Sequence, residues 1–248
     1  STHCLGNHFD IHGGGQDLQF PHHENEIAQS VCCTNEAYVN VWMHNGFVRV
    51  DEEKMSKSLG NCFTVREVLK DYQPEVIRFF ILSSHYRSPL NYSEDNLEEA
   101  KSALNRLYTA LRDANVTDAD LVDDVINEFN SYMDDDFNTP KAIALVHEVA
   151  KDLNKETDKS SATAVSLAAT LKHLGSVLGL LQDDPQAFLQ GKADETDNDA
   201  EAIEQLIQER QDAKAAKDYQ KADAIRDQLT AMGISLEDTP QGTIWRRN

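Results

Sequence analysis

The chain has 248 residues, 40% of them hydrophobic, which suits one large domain or two to three smaller ones with cores of their own. Its net charge of −20 argues against a surface broadly coated for nucleic acid, and no apolar run reaches the about 18 residues of a membrane span, so no membrane partner is expected. Cys4, Cys32, Cys33 and Cys62 lack the spacing of a disulfide-stapled secreted domain, and a reducing cytoplasm is the expected compartment.

Up to about residue 90, short apolar runs at 38–42 and 46–50 interleave with helical stretches and read as α/β. Val76, Phe79, Phe80 and Leu82 predict a helix within 71–84. From Ser93 the pattern turns helical. Ser93 with Glu94 and Asp95 makes a cap and an acidic first turn, and Leu97, Ala100, Leu104, Leu107, Tyr108 and Leu111 recur at three- and four-residue intervals. Further stripes run through Leu121, Val122, Val125, Phe129 and Tyr132, through Ile143 to Leu153 behind Pro140, and through Leu167 to Leu181. Four stripes with short polar links predict a bundle. Residues 183–200, acidic and poor in large apolar side chains, read as a linker. Two more helices follow, around Ile203–Ile207 and Ala222–Met232, with Gly233 as a cap, and then two short strands about a turn at 240–242.

The acidity is unevenly placed. Residues 118–136 carry eight acidic and no basic side chains, and 183–204 carry eight against one lysine, whereas 205–248 carry seven of each sign. The C-terminal segment is therefore locally neutral, with a basic end at Arg246 and Arg247.

Three features carry chemistry. Lys54, Ser56, Lys57, Ser58 and Gly60 pack two point charges, two hydroxyls and loop amides into one short stretch, a composition fitted to polyphosphate. Gly13, Gly14 and Gly15 allow backbone to approach a ligand or make a tight turn, and Asp17 beyond them could accept ribose hydroxyls. His22 and Glu26, four apart, would share one helix face, as a metal clamp or as an ordinary polar pair.

Residues 54–61 resemble the second signature of the class I aminoacyl-tRNA synthetases. Together with 9–18, with the run from Phe20 through Pro21, His22, His23, Glu24 and Asn25 to Glu26, and with Trp42-Met43-His44, they are similar to the cysteinyl-tRNA synthetase family. The resemblance continues through 85–92 and 236–247 and covers nearly the whole chain. The family's His-x-Gly-His signature is absent and the chain does not start with methionine, so it is expected to be the C-terminal portion of a longer synthetase. The implied fold is an α/β remnant of a class I Rossmann-type catalytic domain, followed by a mainly α-helical bundle and a small α+β C-terminal module. The expected divisions are 1–90 (catalytic, with the phosphate loop), 91–182 (tRNA-binding bundle), 183–200 (acidic linker) and 201–248 (anticodon-binding module).

The resemblance also implies roles. Lys57 is the main phosphate contact for ATP, with Lys54 and Ser56 assisting. Gly13, Gly14, Asp17, Trp42 and His44 lie by the nucleotide, and His12 lies beside bound cysteine. His22 and Glu26 are zinc ligands completed by cysteines from earlier in the longer chain, and the substrate thiolate bonds that Zn2+ where serine cannot match it. For tRNA the candidates are Lys214, Asp223, Arg226, Asp238, Trp245, Arg246 and Arg247: carboxylates accept from bases, arginines donate to phosphates or base edges, and an indole stacks. Asp223 and Arg226 are equally readable as an intrahelical pair. The expected activity is ATP-dependent activation of cysteine and its transfer to tRNA(Cys), with this chain inactive alone. The rivals are a cysteine ligase acting on an amino sugar and a non-catalytic RNA-binding module; the C-terminal motif disfavours the first.

Overall fold

The computed structural model describes residues 1–50, 53–54, 64–114, 119–191, 199–239 and 242–247. The N-terminal part opens with a short helix α1 (Thr2–Leu5) and strand β1 (Phe9–Gly15), which leads through a tight turn (Gln16–Leu18) and a wider one (Gln19–His23) into α2 (Glu24–Thr34). Strand β2 (Val39–Asn45) then pairs parallel to β1, with His12 opposite Trp42 and Gly14 opposite His44. A parallel pair needs a crossover, and α2 supplies it. A second small sheet joins β3 (Val48–Val50) antiparallel to β4 (Glu53–Lys54) and parallel to β5 (Leu90–Tyr92), between which lie α3 (Val65–Val68) and α4 (Pro74–Leu82).

The helical part is built from α5 (Glu94–Arg112), α6 (Asp123–Asp134), α7 (Thr139–Lys155) and α8 (Ala162–Val177). The expected stripes supply the four helices, though Leu121 and Val122 precede α6 and Leu178 and Leu181 follow α8, and the caps sit where the sequence places polar residues: Ser93, Asn138 and Ser161 accept from Asn96, Lys141 and Ala164 amides. Leu97, Leu104, Leu107, Tyr108, Phe129, Leu153, Leu171 and Leu174 are fully enclosed, and Phe79 and Phe80 of α4 join the same core. The helical part is therefore continuous with the α/β part rather than beaded onto it. Inside this core the Glu75 carboxylate accepts from Tyr108 Oη at 2.8 Å and from the Leu181 amide, so a buried acid is satisfied by its neighbours.

The expected linker over 183–200 is corrected in its first part. Residues Pro185–Gln190 form helix α9, started by Pro185 and capped by Asp184, whose carboxylate accepts from the Ala187 amide at 2.9 Å. Phe188 and Leu189 are buried, and Phe188 stacks on Tyr108 with ring centroids 3.9 Å apart. Two adjacent apolar side chains suffice to dock a short helix on a formed core, even within an acidic stretch. Residues 192–198 of that expected linker lie outside the described residues.

The C-terminal module is α10 (Asp199–Ala215), α11 (Tyr219–Ala231) and the antiparallel hairpin β6 (Ile234–Thr239) and β7 (Gly242–Arg247). Gly233 takes the left-handed conformation (φ 75°) that ends α11, as its position predicts. The module has its own core of Ile203, Ile207, Ile225, Leu229, Ile234 and Trp245. Among the described residues, no helix is long and apolar enough to cross a membrane.

Candidate functional site

Strand alternation sorts the first sheet into two faces. Ile11 and Val41 point together to one side and are well exposed, while His12, Trp42 and His44 occupy the other. On that side His12 lies flat on Trp42 (centroids 4.7 Å, planes 19° apart), and Trp42 is followed by His44 in a parallel plane. His23, delivered by the wide turn before α2, completes the group: its Nδ1 hydrogen-bonds His44 Nε2 at 2.9 Å, and its ring lies 4.7 Å from that of His12. Gly14 makes room for it, since a Cβ there would stand 2.8 Å from His23 Cε1. Burial, and then the neighbouring His12, hold the His23 imidazole below its ordinary pKa, so it is neutral near pH 7.

In the first turn of α2, Glu26 faces this group, with Oε2 3.6 Å from His12 Nδ1 and accepting from Tyr38 Oη at 3.4 Å. Ligand atoms of His12, His23 and Glu26 all lie within 4.8 Å of one another. Among the described residues His12 Nδ1 is buried without a hydrogen bond, with Glu26 Oε2 3.6 Å away. His22, paired with Glu26 in the sequence reading, is exposed and stands outside this trio. The reason is local: spacings of three and of four residues both bring side chains onto one helix face, and in this backbone it is His23, three before Glu26, that joins it. His23, which the sequence analysis did not single out, is the histidine that clusters with His12 and Glu26. Asp17 lies exposed in the tight turn after β1, and Gly13 is opposite Met43 in the strand pair. Lys54 ends β4, paired with Arg49, while Ser56 and Lys57 lie outside the described residues.

In the C-terminal module the candidates separate. Asp238, on β6, is held by the Arg210 guanidinium at 3.0 and 3.2 Å, by Lys214 Nζ at 2.7 Å and by Thr243 Oγ1 at 2.7 Å. These donors, Arg210 first, keep its carboxyl well below the usual carboxylate range. Asp223 and Arg226 make an exposed i,i+3 ion pair at 3.1 Å. Arg246 is exposed, and Arg247 donates to the Gln190 carbonyl at 3.2 Å. Trp245 is the correction here. It is only 5% exposed, its indole N–H donates to Glu204 at 2.7 Å, and it packs in the module's core, so its ring is no open platform for a base. Strand pairing explains this, because Trp245 sits opposite Leu236 on the covered face of the hairpin.

Comparison with known proteins places this geometry. Residues 1–102 match the model for the class I (C) tRNA synthetase catalytic domain, 128–182 the DALR domain, and 197–246 the cysteinyl-tRNA ligase anticodon binding domain. A cysteine–tRNA ligase of Thioalkalivibrio sulfidiphilus is 60% identical over 248 residues, all of this chain and 54% of that protein. The chain belongs to the cysteinyl-tRNA synthetase family. Ligases of Tolumonas auensis (59% identical) and of Escherichia coli O17:K52:H18 (57%) match 98% of the chain and 53% of their own lengths. The chain thus spans about half the length of the curated synthetases it matches. Among solved structures, a LeuRS of Agrobacterium radiobacter K84, crystallised in a ternary complex with tRNA and LeuAMS, superimposes with a TM-score of 0.53 at 20% identity, over 68% of this chain and 25% of that one. That similarity is one of fold, and it agrees with an α/β class I catalytic part followed by helices.

Proposed function

We propose that this chain is the C-terminal part of a cysteine–tRNA ligase, which activates cysteine with ATP and transfers it to tRNA(Cys). The observation that carries the reading is similarity along the whole chain to proteins of that name, through three family models in order. In the first step a cysteine carboxylate oxygen bonds the α-phosphorus of ATP as the bond to pyrophosphate breaks. Lys57, with Lys54 and Ser56, stabilises charge on the departing pyrophosphate, and no general base is required. Gly13, Gly14 and Asp17, with Trp42 and His44, border the nucleotide, and His12 borders the amino acid. A terminal ribose hydroxyl of the tRNA then attacks the adenylate carbonyl and AMP leaves.

Zinc is proposed for the longer protein; in this structure Glu26 clusters with His12 and His23, and His22 stands apart. Its ligands are proposed to be His22 and Glu26, with thiolates from outside this chain, and when bound it would supply a soft partner for the substrate sulfur. A second reading is favoured by the trio itself: His12, His23 and Glu26 offer three donors around an orphaned imidazole nitrogen, the count of a zinc site with an open position. The proposed divisions are 1–90, 91–182, 183–200 and 201–248, the third holding the docked helix α9 and the start of α10. The C-terminal one contacts the anticodon through Lys214, Asp223, Arg226, Asp238, Arg246 and Arg247, with Trp245 supporting the hairpin, and the proposed location is the cytoplasm. Cysteine-dependent ATP–pyrophosphate exchange by the longer protein tests the reaction; exchange driven equally by serine, or none with any amino acid, would overturn it.

A further inference from the structure

Asp238 in this structure has no acceptor capacity to spare. Oδ1 accepts from Arg210 Nη1 and Thr243 Oγ1, and Oδ2 accepts from Arg210 Nη2 and Lys214 Nζ, which fills the about four lone-pair sites of a carboxylate. The four donors are not equivalent. The Arg210 residue is 7% exposed and grips with both arms of its fork, which fixes the plane of the carboxylate. The Lys214 side chain is 41% exposed and holds Oδ2 through one point charge on a flexible stem. Two cations on one carboxylate leave the group with a net charge of +1, a local inversion in a chain of −20.

We infer that Arg210 is a positioning residue that presents Asp238 to RNA, and that Lys214 is the exchangeable partner whose place on Oδ2 a base N–H donor takes. This rests on the reading of the module as an RNA reader. Arg210 retains the carboxylate while Lys214 leaves it, and the released ammonium turns to a neighbouring phosphate. Each carboxylate site stays filled through the exchange, and the hairpin need not move. The base must supply a donor, so an acceptor presented at that position would face Oδ2 unpaired and be rejected.

The test measures binding of the 248-residue chain to an anticodon stem-loop of tRNA(Cys) and to loops with single-base changes, by fluorescence anisotropy over a salt series. Asp238→Asn tests the underlying reading: discrimination between loops should fall roughly tenfold. Arg210→Lys keeps the charge and removes the fork, and should lose a comparable share of discrimination while leaving binding to an unrelated RNA hairpin unchanged. Lys214→Met should keep discrimination but reduce the salt slope by about one. If Asp238→Asn lowers discrimination and Arg210→Lys, folded by circular dichroism, does not, the positioning role is wrong though the reader stands. If Asp238→Asn discriminates as well as the parent, the reading itself fails. Should Arg210→Lys unfold, Lys214→Met decides the exchange: an unchanged salt slope overturns it.

Discussion

At the scale of single residues, the two functional clusters differ in how they were readable. His12, Trp42 and His44 are placed by β-strand alternation, a two-residue period that the parallel pair β1 and β2 preserves. His23 was hidden because spacings of three and of four residues both reach the face of Glu26, and the backbone decides between the two adjacent histidines. Metal analysis of the purified longer protein separates the alternatives: His22→Ala is expected to lose most zinc if the family pair binds it, whereas His23→Ala does so if the trio does, and Glu26→Ala lowers zinc in either case. Full zinc in all three variants would return them to a purely structural role. Asp238 offers a pH prediction. Its folded-state pKa is depressed, so its ion-pair stabilisation is fully present above the unfolded value of about 4 and is lost as pH falls toward the folded value. Acid unfolding of the module, followed by Trp245 fluorescence in a Trp42→Phe background, should therefore begin as pH drops below about 4. Asp238→Asn should be less stable at neutral pH and show a weaker acid dependence; identical acid profiles would contradict the role given to Arg210 and Lys214.

At the scale of elements, the bundle was legible because its helices carry stripes, caps and a first-turn proline that agree with one another. Removing one such signal should have a local cost: Ser93→Ala deletes the acceptor for the Asn96 amide and is expected to lower thermal stability by about 1 kcal/mol. Helix α9 was not legible, since six residues in an acidic context give no periodicity, and their burial depends on the surface that Tyr108 and its neighbours present. Trp245 could have been assigned inward from alternation with Ile234 and Leu236 across the hairpin, a signal that its reading as a stacking surface masked. A third element-level feature is the corner after β2. Gly46 donates its amide to the Tyr86 carbonyl at 2.8 Å, and a Cβ there would lie 2.2 Å from the Ser88 carbonyl oxygen. Gly46→Ala must therefore push backbone apart, not merely a side chain. Hydrogen exchange should show the 85–90 amides less protected in that variant, with α8 unchanged; unaltered protection at 85–90 would show that the corner absorbs the methyl freely.

For the whole molecule, the structure joins its parts through specific contacts. Arg112, at the end of α5, bridges Asp113 at 2.7 Å and Glu237 of β6 at 3.0 Å, and Gln186 of α9 donates to the Trp245 carbonyl at 3.5 Å. The Arg112 side chain is 11% exposed and that of Glu237 53%, so this tie between bundle and module is sheltered on the arginine side alone. Charge is divided accordingly: the acidic segments lie within the bundle and around α9, while the locally neutral end of the chain holds the Arg210, Lys214, Arg226, Arg246 and Arg247 cations. The proposal that this module recognises tRNA, while the α/β part takes part in activation, is tested most directly by removing residues 199–248 from the longer protein and measuring both half-reactions. Cysteine-dependent pyrophosphate exchange should remain near normal while tRNA charging falls, chiefly through a higher KM for tRNA. Charging of tRNA with unchanged KM and undiminished discrimination between anticodon variants would contradict it.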